Sequence, residues 1–251
     1  MHHADFIEKR CGEMKQKRLV EKDFSSAKRI ELDIVESKNE LKAYRRILDY
    51  FHGYKNWTHI PARRIRWIVY ADGEAVGVIG IASSPMNVGC RDKWIGWNTE
   101  QKKANLQKIA NNYRFCMMVR GLGSRVLSAL YKEARCRWEE KYGDKLVLLD
   151  TFVEPPYDGT VYKASGWIYV GKTKGYKIKR PPSKALLASV MDGKEGKAHA
   201  ERAKLLFENP EEAVKKYPYL RHEVEEGGVQ KLVFVKPLVR WWRKELLGIG
   251  D

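Results

Sequence analysis

The sequence predicts an α+β fold, a mixed central sheet flanked by helices with a helical insertion ahead of the last strand. Two β-rich runs meet at Asp72-Gly73, a dipeptide suited to a two-residue hairpin because both turn positions want positive φ. Between Tyr113 and Val153 the order is apolar strand, glycine turn, amphipathic helix, apolar strand, which is a βαβ-like crossover. A stretch rich in Ala, Leu, Glu and Lys, residues 181–228, then interrupts the chain before a last strand, Lys231–Pro237.

Residues 1–36 alternate charge and hydrophobe, and one or two helices are expected there as an N-terminal extension to a core over 37–180. Glu40–Phe51 places Leu41, Tyr44, Ile47, Leu48 and Phe51 on one helical face. The hairpin strands are Ile65–Ala71 and Glu74–Ala82, and a helix is expected near Glu100–Ala110. Tyr113–Val119 is an apolar, aromatic strand. From Ser124 a helix carries Leu127, Leu130, Tyr131, Ala134 and Trp138 on one face, and Gly143 ends it. Lys145–Val153 is apolar enough to be a strand covered on both faces. A helical turn at Thr160–Ala164 precedes a strand at Trp167–Lys172, and residues 229–251 supply the last strand and a C-terminal helix.

With 43% hydrophobic residues and eight Trp among 251, the chain can fill a core. Four scattered cysteines show neither a CxxC pair nor metal-ligand spacing, so no metal site is expected and the thiols read as reduced, in a cytoplasmic protein. No apolar run approaches the ~18 residues of a membrane helix, and no secretory leader is evident. The formal charge of +16 calls for an anionic partner. It is uneven: residues 71–180 hold 19 basic and 11 acidic residues, whereas 181–228 hold 8 and 9 and read as an insertion or lid. The densest run, Lys172, Lys174, Lys177, Lys179 and Arg180, suits a phosphate backbone or a solvated loop.

The turn after Val119 reads Arg120, Gly121, Leu122, Gly123, Ser124, Arg125. Its glycines would let main-chain amides approach a phosphate ahead of a helix N-terminus, or would serve the shape of a tight turn alone. Downstream comes GTVYKASGWIYVG, Gly159–Gly171. Together these segments resemble the GNAT acetyltransferase superfamily, which implies a GNAT-like sheet and an acyl-CoA donor held at the glycine turn. Tyr162, Gly166 and Trp167 occupy the places of that family's Y-x-x-x-G-F segment, whose Tyr is a general acid. Met118 stands where the family has Arg or Gln, and Arg120 directly precedes Gly121.

The stretch Arg91–Gly175, with RDKWIGW, NLQKIANNYRF, LVLLDTFVEP and GTVYKASGWIYVGKTKG, together with the hairpin and KLVFVKPL, is similar to the A-component family of Druantia anti-phage systems. GTVYKASGWIYVG is also similar to phage Mu Mom-type proteins, GNAT-like enzymes that modify adenine in DNA. These resemblances imply a transferase placing an acyl or related small group on a DNA base amine, or a non-catalytic DNA-binding component of a defence or transposon-like system. Protein partners from the same defence system are part of that expectation.

Such a transferase needs a proton manager, for which Tyr162, Asp150 and Glu154 are the candidates. Tyr162 could instead pack its ring, and Asp150 could serve a structural hydrogen bond. Ser124 could contact a donor phosphate or cap its helix. Trp94 and Trp97, beside Arg91 and Lys93, pair aromatic faces with cations as bound bases require, or belong to the core. Asn111, Asn112 and Arg114 could read a base edge or bridge buried backbone.

Overall fold

The structure is a computed structural model; it describes residues 24–52, 62–175, 177–178, 201, 204–206, 208–217, 224–225 and 229–248. Strand β1 (Ile30–Ile34) is followed by helix α1 (Lys38–Phe51), strands β2 (Arg64–Ala71) and β3 (Glu74–Ser83), and helices α2 (Gly89–Ile95) and α3 (Thr99–Asn105). A 3₁₀ turn, Leu106–Lys108, leads into β4 (Ile109–Met117), α4 (Gly123–Tyr142) and β5 (Leu148–Val153). Then come α5 (Thr160–Ala164), β6 (Ile168–Lys172), β7 (Lys177–Ile178), α6 (Pro210–Lys216), β8 (Val224–Glu225), β9 (Leu232–Pro237) and α7 (Trp242–Leu247). Seven strands form one mixed sheet in the order β1-β2-β3-β4-β5-β9-β6, while β7 pairs with β8 apart from it.

The expected helices at 1–36 are corrected in part. Residues 30–34 form β1, antiparallel to β2 at the sheet edge, so this segment belongs to the core sheet. Alternating Ile30, Leu32 and Ile34 pack toward the main core, which is strand periodicity. Residues 1–23 lie outside the described residues. The hairpin follows the turn chemistry, with Asp72 at φ 48° and Gly73 at φ 83°. Ser37 and Glu40 make a reciprocal capping box that starts α1. Gly143, at φ 76°, ends α4.

Two apolar layers and one main core position the site. Trp67, Ile79, Ile81, Ala110, Leu149 and Phe234 face α4, packing against Leu127, Leu130, Ala134 and Trp138. The opposite face is covered in two separate patches. Tyr44, Ile47 and Leu48 of α1 cover Ile68, Val78, Cys116 and Met118 at one end, whereas α2 and α7 cover Ile109, Leu148 and Val235 at the other. The β4 residues between these patches are polar.

Candidate functional site

Parallel pairing between β4 and β5 lasts only three residue pairs, ending at Asn111↔Asp150. Beyond it β4 remains paired with β3 while β5 turns to β9, so a wedge opens between them. The pairing of β3 with β4 slips between Gly80 and Ile81, where Tyr113 is the extra residue of a bulge. The bulge changes the strand's parity: Ala110 and then Phe115 and Met117 face α4, whereas Cys116 and Met118 face α1.

Side chains fill the wedge. Tyr162 reaches in from α5 and is buried; its hydroxyl donates to Asn112 Oδ1 at 2.9 Å and accepts from Thr151 Oγ1 at 3.4 Å. Its ring packs edge-on against Trp167 at 5.0 Å and near Phe115 and Phe234. Burial pushes the phenol up to about 12. The Asn112 amide donates to the carbonyls of Gly80 and Arg114, both at 3.0 Å, and closes the bulge. Thr151 donates to Asn112 O, and Arg114 donates to Tyr113 O. The β4 carbonyls from Asn112 to Arg114 therefore find side-chain partners where strand pairing stops.

On the other face Asp150 is fully buried and committed. Its Oδ2 accepts from Arg91 Nη1 at 2.8 Å and from the Ser84 hydroxyl, and its Oδ1 accepts from Asn111 Nδ2 at 2.7 Å. Arg91, also sealed from solvent, reaches Asp92, which Lys102 contacts at 3.0 Å. Arg91 therefore neutralises Asp150 and offers no nucleic-acid contact, and Asn111 and Asn112 bridge buried groups. Three expected base-contact residues are corrected: Arg91 and Asn111, with Ser84, remove the cost of an unpaired buried carboxylate at Asp150, and Asn112 serves the carbonyls of Gly80 and Arg114. Arg114 lies half-buried over the Tyr113 ring at 5.3 Å. Nearby His52 is pushed down to about 4, mainly by burial and further by Arg114.

Trp94 and Trp97 are likewise structural. Trp94 stacks on Trp242 with centroids 4.4 Å apart, and the Trp97 indole donates to Leu246 O at 2.7 Å. Lys93, just before Trp94, is exposed. Glu154 is paired with Lys231 at 2.8 Å. Asp150, Glu154 and Tyr162 thus face three different sets of partners and do not converge. Lys172 and Lys174 are exposed on and beside edge strand β6. Lys177 lies in β7, and Lys179 and Arg180 fall outside the described residues.

The glycine turn divides in its roles. Leu122 is buried core and Arg120 is exposed. Gly121 has φ 84° with open space about it, while Ser124 and Arg125 are half-buried in the first turn of α4, which has no side-chain cap. Ser124 is therefore not the capping residue. At Gly123 an added Cβ would lie 2.5 Å from Val161 Cγ2 and 3.6 Å from the Phe115 ring. Its small size serves the packing of α5 onto α4. Met118, at the family's Arg or Gln position, is buried against the α1 patch. An acyl donor does not fit this arrangement. Val161 covers Gly123, and Tyr162 and Phe115 occupy the wedge into which a donor arm would pass.

One surface escaped the sequence reading. Between Lys231 and Lys244 the chain holds five cations and no acid, and Trp241 stands 58% exposed among Arg240, Arg243 and Lys244. An acid-free run containing a Trp pair was the available signal. Among the described residues no cluster of His, Cys, Asp or Glu could hold a metal, and no helix is long and apolar enough to cross a membrane.

No curated protein matches the sequence. Among solved structures the fold is similar to a GNAT-family protein from Desulfovibrio desulfuricans, at 9% identity and TM-score 0.41, covering 84% of this chain and 100% of that one. It is also similar to FeeM, an N-acyl amino acid synthase from uncultured soil microbes, at 12% identity and TM-score 0.38 over 85% and 94% of the two chains. A third is the spermidine/spermine N-acetyltransferase SpeG from Vibrio cholerae, at 9% and 0.38 over 91% and 100%. The family model of the Druantia protein DruA matches residues 8–248, nearly the whole sequence, and the chain belongs to that family.

Proposed function

We propose that this protein is a DNA-binding component of a Druantia anti-phage system, built on a transferase-like sheet whose donor wedge is filled by its own side chains. The observation that carries this reading is the commitment of all three proton-handling candidates. Asp150 is neutralised by Arg91, Tyr162 is held by Asn112, and Glu154 is paired with Lys231. The molecule carries a formal charge of +16, with Lys172 and Lys174 exposed on and beside edge strand β6. Many cations acting together neutralise phosphates and release counterions.

Duplex binding measured across a salt series tests the proposal. The affinity should fall steeply with salt, and Lys172→Glu/Lys174→Glu should weaken binding and flatten the slope by about two phosphate contacts. Wild-type protein that ignores DNA at low salt would overturn the reading.

A second reading keeps the transferase. The uncapped start of α4 after a two-glycine turn, beside a bulge and a strand splay, favours it. It requires Tyr162 and Val161 to swing clear and admit an acyl-CoA. A thermal shift with acetyl-CoA, together with an added mass on nucleosides from co-expressed DNA, would support it over the first reading.

A further inference from the structure

Helix α7 is six residues long, too short to persist without tertiary support. Side chains from the preceding layer fix its C-terminal carbonyls. Trp97 and Asn105 donate to Leu246 O at 2.7 and 3.1 Å, Gln101 to Leu247 O at 2.6 Å, and Lys108 to Glu245 O at 2.9 Å. Beneath the helix Trp242 is buried against Trp94, with the Arg243 guanidinium on the same indole at 4.5 Å. Glu245, the one acid between 229 and 248, is engaged by Lys108.

This scaffolding holds an outer surface that the core does not use. Trp241 is more than half exposed and is flanked by exposed Arg240 and Arg243. An indole left in water at the N-cap of a helix held by four side-chain donors, with the exposed cations Arg240 and Arg243 near it in the chain, offers a stacking face together with phosphate neutralisation. Bases in single strands have free π-faces, whereas those in a duplex are stacked on one another.

We infer that Trp241, with Arg240 and Arg243, is a single-stranded nucleic-acid platform on which one unpaired base stacks. The inference rests on the proposed DNA-binding role and names the form of DNA that this surface takes.

The test uses the full chain with fluorescein-labelled oligo(dT) of about 15 nucleotides and a mixed-sequence duplex, followed by anisotropy and intrinsic tryptophan emission. Wild-type protein should bind oligo(dT) with quenched emission. Trp241→Ala should weaken oligo(dT) binding at least about five-fold and lose part of the quench, whereas Trp241→Phe should retain most of the affinity and duplex binding should be unchanged in both. Equal oligo(dT) affinity in wild type and Trp241→Ala overturns the platform. Duplex binding without any oligo(dT) binding also overturns it while leaving the proposed function standing; binding of neither overturns both. Because Trp241 lies outside the packed core, thermal unfolding of Trp241→Ala should match wild type.

Discussion

Arg91 and Asp150 form an ion pair at 2.8 Å in which neither side chain touches solvent. One comes from α2 and the other from β5, so the pair ties a surface helix to the middle of the sheet. Ser84 and Asn111 supply the remaining donors to the carboxylate. Removing one partner of such a pair strands a charge in the interior. Arg91→Ala should lower the free energy of unfolding by about 3–5 kcal/mol, read from urea denaturation. DNA affinity per folded molecule should stay unchanged, and a selective loss of DNA binding with normal stability would refute the structural assignment.

The contact of Gly123 with Val161 predicts a coupled pair. Gly123→Ala places a methyl where Val161 Cγ2 already sits, at 2.5 Å, and should cost about 1–3 kcal/mol through overpacking. In the Val161→Ala background the same change should cost little, since the obstructing methyl is gone. A double-mutant cycle measures this, and additive effects would contradict the packing role.

Tyr162→Phe keeps the ring and removes the hydroxyl that satisfies Asn112 Oδ1. The expected loss is about 1–2 kcal/mol of stability with unaltered DNA binding, seen by calorimetry and a parallel binding titration.

His52 predicts how stability varies with pH. Burial holds its folded-state pKa at about 4 against an ordinary 6.5, so the unfolded chain binds the extra proton between those values. Stability therefore rises with pH across that window and is lost as pH falls from 6.5 toward 4. Allowing for its partial exposure, the contribution is about 1–2 kcal/mol. Between pH 7 and 4 the denaturation midpoint of wild type should fall relative to that of His52→Gln, which has no titrating group at this position, and parallel pH profiles for the two proteins would contradict the assignment.

Elements with strong local signals were legible in the sequence. The Asp72-Gly73 hairpin, the α4 face from Leu127 to Trp138 and its Gly143 stop all follow from periodicity and turn chemistry. The β1 strand was not, because five residues alternating at a sheet edge resemble a mixed helix until β2 is there to pair with them. β4 begins at Ile109, four residues ahead of the sequence-predicted start, since Asn111 and Asn112 look like loop residues. Their amides are explained only by Asp150, Gly80 and Arg114, partners that a sequence cannot bring near. Trp94, Trp97 and Arg91 had the residue types of a base-binding surface, but residue type does not say which way a side chain turns. Trp241 had the same types and points outward.

The three-pair seam between β4 and β5 has a mechanical consequence. Strand pairing is extensive through β1-β2-β3-β4 on one side and β5-β9-β6 on the other, so the sheet consists of two panels joined along a short stitch. Tension applied across that stitch loads few backbone bonds and passes to the groups that bridge it: the Asp150 contacts with Arg91, Ser84 and Asn111, the Tyr162–Asn112 hydrogen bond and the shared core beneath α4.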